Sequence, residues 1–120
     1  MHTQITRHRN DCVTVATHVA TGLSYEDAYQ LVRAVGFAGR TGRIRGAYAF
    51  AQYGGWKPLL TDGAKKYGTF GTLGQFVKKH QTGTFVIQTR GHWTAVKDGN
   101  TYDNSSRPSL KAQVLQVWSV

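Results

Sequence analysis

The sequence predicts an α+β fold in which N-terminal helices pack on one face of a short antiparallel β-sheet, and three observations carry that expectation. Apolar residues recur at helical spacing through the first third of the chain. After Gly83 the period shortens to that of strands, and Asp98-Gly99-Asn100 supplies a strong hairpin turn between two of them. At 120 residues, 40% of them hydrophobic, the chain suits one domain, residues 1-120, with a core of its own.

Asn10 or Asp11 stands where a cap is needed for a first helix, whose apolar positions Cys12, Ala16, Val19 and Ala20 share one face before Gly22 ends it. A second helix opens at Ser24, with Asp27 three residues on as a weak capping-box partner, and buries Ala28, Leu31, Val32 and Val35 until Gly36 stops it. A third short helix is expected from Ala47 to Tyr53. Thr72 caps a fourth that carries Leu73, Phe76 and Val77 and ends near His80. Strands follow at Thr84 to Thr89, at His92 to Lys97, across the turn at Thr101 to Asp103, and last at Gln113 to Val120.

Charge and cysteine content narrow the function classes. Fifteen Lys+Arg against six Asp+Glu give a formal net charge of +9, and no apolar run approaches the roughly 18 to 20 residues of a membrane helix. The segment Met1 to Asp11 is polar and basic and lacks the apolar region and cleavage site of a signal peptide, so a cytoplasmic protein with no membrane partner is expected. A single cysteine excludes an internal disulfide and a zinc site built on several thiolates, and no metal or cofactor is expected.

That cysteine sits in the first turn of the first helix, where unpaired backbone N–H groups and the helix dipole favour a thiolate over a thiol. A lone cysteine on an apolar helical face is more often a small core residue, so Cys12 needs a partner to count. Gly91-His92 offers one, since it places a histidine at the start of a strand next to the hairpin. A two-residue turn puts Asp103 diagonally across from His92 on the same face, whereas a three-residue turn presents Asn104 instead. Either side chain accepts the imidazole N–H and fixes its tautomer. His2, His8, His18 and His80 have no such setting and read as solvent-facing or satisfied core histidines. Trp93 points to the opposite side of its strand from His92 and reads as core or hairpin packing.

With these residues the sequence resembles the papain-like cysteine peptidases in their small bacterial and phage forms. The resemblance rests on Asn10-Asp11-Cys12 at a helix head, Gly91-His92 opening a strand, and the hairpin Asp98 to Asp103, with the Thr72-Leu73-Gly74-Gln75-Phe76 helix and Gly83-Thr84-Phe85-Val86 ahead of the histidine strand. It implies a papain-like fold and a thiol hydrolase acting on a peptide, isopeptide or related amide bond of a peptide or protein substrate. Cys12 is then the nucleophile, His92 the general base and acid, and Asp103 the orienting carboxylate, with Asn104 as the alternative third member. It also extends the expected location to a phage-encoded protein in the infected host cell. One departure stands out: such peptidases commonly carry a glutamine about six residues before the cysteine as an oxyanion donor, and this chain has Thr6 there. The backbone N–H of Cys12 and the side chain of Gln4 are left for that role, and a catalytically weak peptidase-like binding domain is the alternative. Cell-wall hydrolases of the NlpC type share the Asp-Cys pair and the strand histidine, and transglutaminase-like acyl transfer uses the same triad with another acceptor.

The non-enzymatic alternative is a small basic nucleic-acid-binding protein. Gly39 to Gly46 concentrates Arg40, Arg43 and Arg45 in a glycine-rich loop, with Tyr48, Phe50, Tyr53 and Trp56 downstream as stacking groups. No helix-turn-helix, zinc-knuckle or RNP-type motif accompanies it, and the loop lacks the Lys-Ser/Thr ending of a Walker A phosphate loop. A solvated loop, or one that meets an acidic partner, fits the same residues.

Overall fold

The computed structural model describes residues 1–8, 11–34, 57–58 and 71–120. Among these, the elements run β1 (His2–Gln4), α1 (Cys12–Thr21), α2 (Tyr25–Ala34), β2 (Lys57–Pro58), α3 (Leu73–Lys79), β3 (Thr84–Thr89), β4 (His92–Lys97), β5 (Asn100–Asp103) and β6 (Gln116–Ser119). The strands form a single sheet in the order β1-β5-β4-β3-β6-β2. The α+β class is as expected, and the sheet and its helices differ from expectation in two ways.

The sheet is mixed rather than antiparallel. Strands β3, β4 and β5 make the expected meander, with β6 antiparallel to β3, but β1 joins the far edge parallel to β5, pairing His2 with Thr101 and Gln4 with Asp103. Backbone bonds from Thr101 N–H to the Met1 carbonyl (3.0 Å) and from Ile5 N–H to the Asp103 carbonyl (2.9 Å) close its two ends. A three-residue strand is too short to show a period, and its partner lies nearly a chain length away. The last strand also begins later than Gln113, which instead forms an isolated bridge with Thr72.

The helices cover both faces of the sheet. On one side Cys12, Val13 and Ala16 of α1 and Val32 of α2 pack on Val86, Trp93, Ala95 and Trp118. On the other, Leu73 and Phe76 of α3 pack on Phe85, Ile87, Val96, Val114 and Val117. The cause is legible in the strands. Val86 alternates with Phe85 and Ile87, and Trp118 with Val117, so both faces are apolar and each needs a cover.

α1 ends at Gly22, whose left-handed φ of 77° lets its N–H reach the His18 carbonyl at 3.1 Å. Thr17 is buried because its hydroxyl returns to the helix, donating to the Val13 carbonyl at 2.8 Å, and the exposed Thr21 donates likewise to the Thr17 carbonyl at 2.7 Å. α2 is capped as expected, with Asp27 N–H donating to the Ser24 hydroxyl at 3.1 Å. α3 opens with a full capping box. The Gln75 N–H donates to the Thr72 hydroxyl, and the Thr72 N–H to the Gln75 side-chain oxygen at 2.9 Å. Thr72→Ala is expected to lower unfolding free energy by about 1 kcal/mol, while Thr72→Ser holds the parent value, both read from urea midpoints.

The expected helix from Ala47 to Tyr53, the end of the second helix at Gly36 and the Arg40, Arg43 and Arg45 loop lie outside the described residues. Among the described residues, no helix is long and apolar enough to cross a membrane.

Candidate active site

Two tight turns place the strand residues of the site. Arg90-Gly91 joins β3 to β4 with Gly91 at φ 67°, so that His92 opens β4 opposite Thr89. Asp98-Gly99 joins β4 to β5 with both residues at positive φ (50° and 79°), the signature of a type I′ hairpin, and Lys97 pairs with Asn100. The turn is therefore the two-residue one. With Ala95 opposite Tyr102, the next step puts Asp103 opposite Thr94 and diagonal to His92. Asn104 does not take the third position in the structure, because the longer turn that would have presented it is not formed.

Asp103 is fully buried and both of its oxygens are occupied. His92 Nε2 donates to Oδ2 at 3.1 Å, and the Thr94 hydroxyl donates to the same oxygen at 2.9 Å. Oδ1 accepts the Ser105 N–H at 2.8 Å and has His2 Nε2 at 3.4 Å. Burial alone would raise the Asp103 carboxyl, but the His92 bond, the Ser105 N–H, the Thr94 hydroxyl and the His92 charge together hold it below the usual carboxylate range.

Cys12 comes to the same place from the head of α1 and is hydrogen-bonded to His92. With Nε2 of His92 committed to Asp103, Nδ1 is the nitrogen left for the sulfur. Cys12 is only 2% exposed, which a small core residue would share; the bond to His92 is what a core residue would not need. For the His92 ring, burial pushes the pKa down, but the Asp103 bond, the Cys12 bond and the charges of both partners outweigh it and push it up to about 9. The ring is thus an imidazolium through the neutral range.

The helix head beside Cys12 is arranged unusually. Asp11 stands at the N-cap position, yet its side chain makes no cap bond. Its buried carboxylate turns back to the preceding segment, accepting from the Thr6 hydroxyl (3.1 Å), the N–H groups of Arg7 (3.0 Å) and His8 (3.3 Å) and the Tyr25 hydroxyl (2.6 Å). Asp11 therefore gives the first turn of α1 no side-chain cap. Burial would raise its carboxyl, and those donors, Tyr25 first, hold it below the ordinary range. Gln4, the other expected oxyanion donor, is exposed on β1, and its amide donates to the Asn104 carbonyl at 3.2 Å, beside β5.

The remaining histidines fall as expected, with one exception. His18 bonds the Leu23 carbonyl, and His80 bonds the Phe76 carbonyl and stacks on the Phe76 ring at 4.0 Å. His8 stacks on Tyr29 at 4.2 Å and bonds the Tyr25 hydroxyl. His2 is satisfied too, but by the residues around Asp103. Trp93 is fully buried against Trp118 at 5.2 Å, in the core on the α1 side. Thr94, Ser105 and His2 were not among the expected site residues. Thr94 had a signal, as the residue facing Asp103 across a two-residue turn; Ser105 and His2 had none. Among the described residues, no group of three or more His, Cys, Asp or Glu side chains is placed to hold a metal ion. Compared with known protein families, curated proteins and solved structures, the chain gives no match.

Proposed function

We propose that this chain is a small thiol hydrolase of papain-like type, cleaving a peptide, isopeptide or related amide bond with Cys12 as nucleophile, His92 as acid and base, and Asp103 as the orienting carboxylate. One observation carries the proposal. A single imidazole is bonded through Nε2 to a fully buried carboxylate and interacts, by hydrogen bond and charge, with the chain's only thiol. These three residues arrive from α1, β4 and β5, so no local packing need accounts for their meeting.

The chemistry follows from the geometry. The Cys12 sulfur, its proton held by His92 Nδ1, attacks the carbonyl carbon, and the C=O electron pair moves onto oxygen. That oxygen is stabilised by the N–H of Cys12 at the positive end of α1. His92 gives its proton to the amide nitrogen, the C–N bond breaks, the amine leaves, and the acyl group remains as a thioester on Cys12. Water then gives a proton to Nδ1 as its oxygen attacks the thioester carbonyl, and the carboxylic acid leaves with the thiolate restored. Throughout, Asp103 keeps the Nε2 hydrogen and so presents Nδ1 to the reacting atoms.

The test is mass spectrometry of a complex peptide mixture, isopeptide-linked peptides included, incubated with the parent chain and its variants. New termini are expected with the parent, none with Cys12→Ala, and about 10²- to 10⁴-fold slower cleavage with His92→Ala. Cleavage that Cys12→Ala leaves unchanged, or no cleavage by the parent between pH 5 and 9, would overturn the proposal.

A further inference from the structure

We infer that His2 is a positioning residue for Asp103, so that the carboxylate of the proposed site is held by the N-terminal strand as well as by its own hairpin. The inference rests on the hydrolase proposal only for its catalytic meaning; the geometry stands by itself. The His2 ring bridges two residues that flank Asp103 symmetrically. Its Nδ1 is 2.7 Å from the Thr101 hydroxyl oxygen, and its Nε2 is 2.8 Å from the Ser105 carbonyl oxygen. A carbonyl oxygen only accepts, so Nε2 carries the hydrogen, and in the neutral ring Nδ1 accepts from the Thr101 hydroxyl.

The same Nε2 lies 3.4 Å from Asp103 Oδ1, and the Ser105 N–H donates to that oxygen at 2.8 Å. His2 thus fixes the residue two before Asp103, the residue two after it, and the oxygen that His92 does not use. Without the ring, the Ser105 turn loses its tether, and the carboxylate is free to rotate away from the plane that gives His92 a 3.1 Å bond. Docking of β1 does not itself require the imidazole, because the backbone bonds at Met1 and Ile5 already hold both ends of the strand. Asp103 is the charged group facing His2 from β5, and Lys78 of α3 lines the same cavity of about 290 Å³ that reaches the ring. Facing His92 are Asp103 and Cys12.

The experiment compares the parent with His2→Ala, His2→Gln and Thr101→Val as full chains. The His92 ring is titrated by NMR, Cys12 alkylation by iodoacetamide is followed against pH, and melting temperature is recorded. In His2→Ala the His92 titration is expected to move about one pH unit down toward the ordinary value, with alkylation at pH 6.5 slowed about tenfold. His2→Gln, whose amide nitrogen reaches toward the Ser105 carbonyl, restores most of both. Thr101→Val keeps a β-branched residue in the strand and removes only the hydroxyl on Nδ1, so a smaller shift in the same direction is expected. If His2→Ala does not fold, Thr101→Val and His2→Gln decide. A lowered melting temperature with the His92 titration and alkylation profile of the parent would make His2 merely structural and overturn the inference. A parent that cleaves nothing, yet shows the His92 shift in His2→Ala, would refute the hydrolase and support the role of His2.

Discussion

In His92→Ala, alkylation of Cys12 at pH 6 is expected to fall by about 10- to 100-fold. The sulfur loses the imidazolium that is its hydrogen-bond and charge partner, and the greater intrinsic nucleophilicity of a more basic thiolate offsets part of the loss. Asp103→Asn is expected to act in the same direction and by at least about tenfold. An asparagine has one acceptor oxygen where the carboxylate uses two. If that oxygen faces His92 and Thr94, its NH₂ confronts the Ser105 N–H; if it faces Ser105, the NH₂ confronts His92 Nε2–H. Either arrangement leaves opposed donors, and the imidazolium loses the charge that holds it. The same pair makes stability depend on pH. His92, raised from 6.5 to about 9 in the folded chain, contributes stability that is fully present below about pH 6.5 and lost as pH rises through 9. Asp103 and Asp11 are lowered from 3.8, so their contribution is present above about pH 3.8 and lost as pH falls through their folded values. Melting temperature against pH is therefore expected to plateau between about 4 and 6.5 and fall on both sides. His92→Ala should remove the His92 part of the alkaline limb and weaken the Asp103 part of the acid limb while leaving that of Asp11, and a profile equally steep above pH 6.5 in parent and variant would refute the coupling.

What the sequence revealed of the site followed from local chemistry. The Asp98-Gly99-Asn100 run marks the hairpin and leaves two turn lengths open; the two-residue turn, with Asp98 and Gly99 both at positive φ, then sets the register, and register puts Asp103 rather than Asn104 diagonal to His92. Helix ends were legible for the same reason: Gly22, Ser24 and Thr72 each carry out the local bond their type predicts. The parts that escaped are those decided by distant partners. β1 takes its identity from an edge that β5 offers, and its parallel direction has no signal in three residues. The cover of α3 on the second face follows from alternation within β3 and β6, which was visible, but which face each helix takes depends on connections that no local pattern sets. Asp11 shows the limit most clearly. Its residue type and position both predict an N-cap, yet its backbone, at φ −99° and ψ 24°, is outside the extended region usual for a cap, and four better-placed donors claim its carboxylate.

Asp11→Ala is accordingly expected to cost about 3 to 4 kcal/mol in unfolding free energy, more than the loss of any cap. Hydrogen bonds to a charged acceptor are worth about 1.5 to 3 kcal/mol each, but Thr6, Arg7 and His8 lie near the surface, where water replaces part of what they lose. Tyr25 does not share that relief. It is 3% exposed, its hydroxyl donates to Asp11 at 2.6 Å, and burial together with Asp11 holds its phenol in the protonated form well above the ordinary range. Tyr25→Phe removes one of the four donors to Asp11 and takes from His8 a ring bond that water can replace at its exposed site, so about 1 to 2 kcal/mol is expected. The decisive variant is Asp11→Ser. Serine caps helices as well as aspartate does, so a capping role would be rescued to within a few tenths of a kcal/mol. Its hydroxyl is too short to reach the Thr6–His8 turn and Tyr25 together, so Asp11→Ser is expected to stay within about 1 kcal/mol of Asp11→Ala in urea unfolding. The same variant separates fold from site. A capping hydroxyl at position 11 accepts from the N–H of Val13 or Thr14 and not from that of Cys12, so cleavage of any substrate found for the parent should slow no more than the lost stability explains.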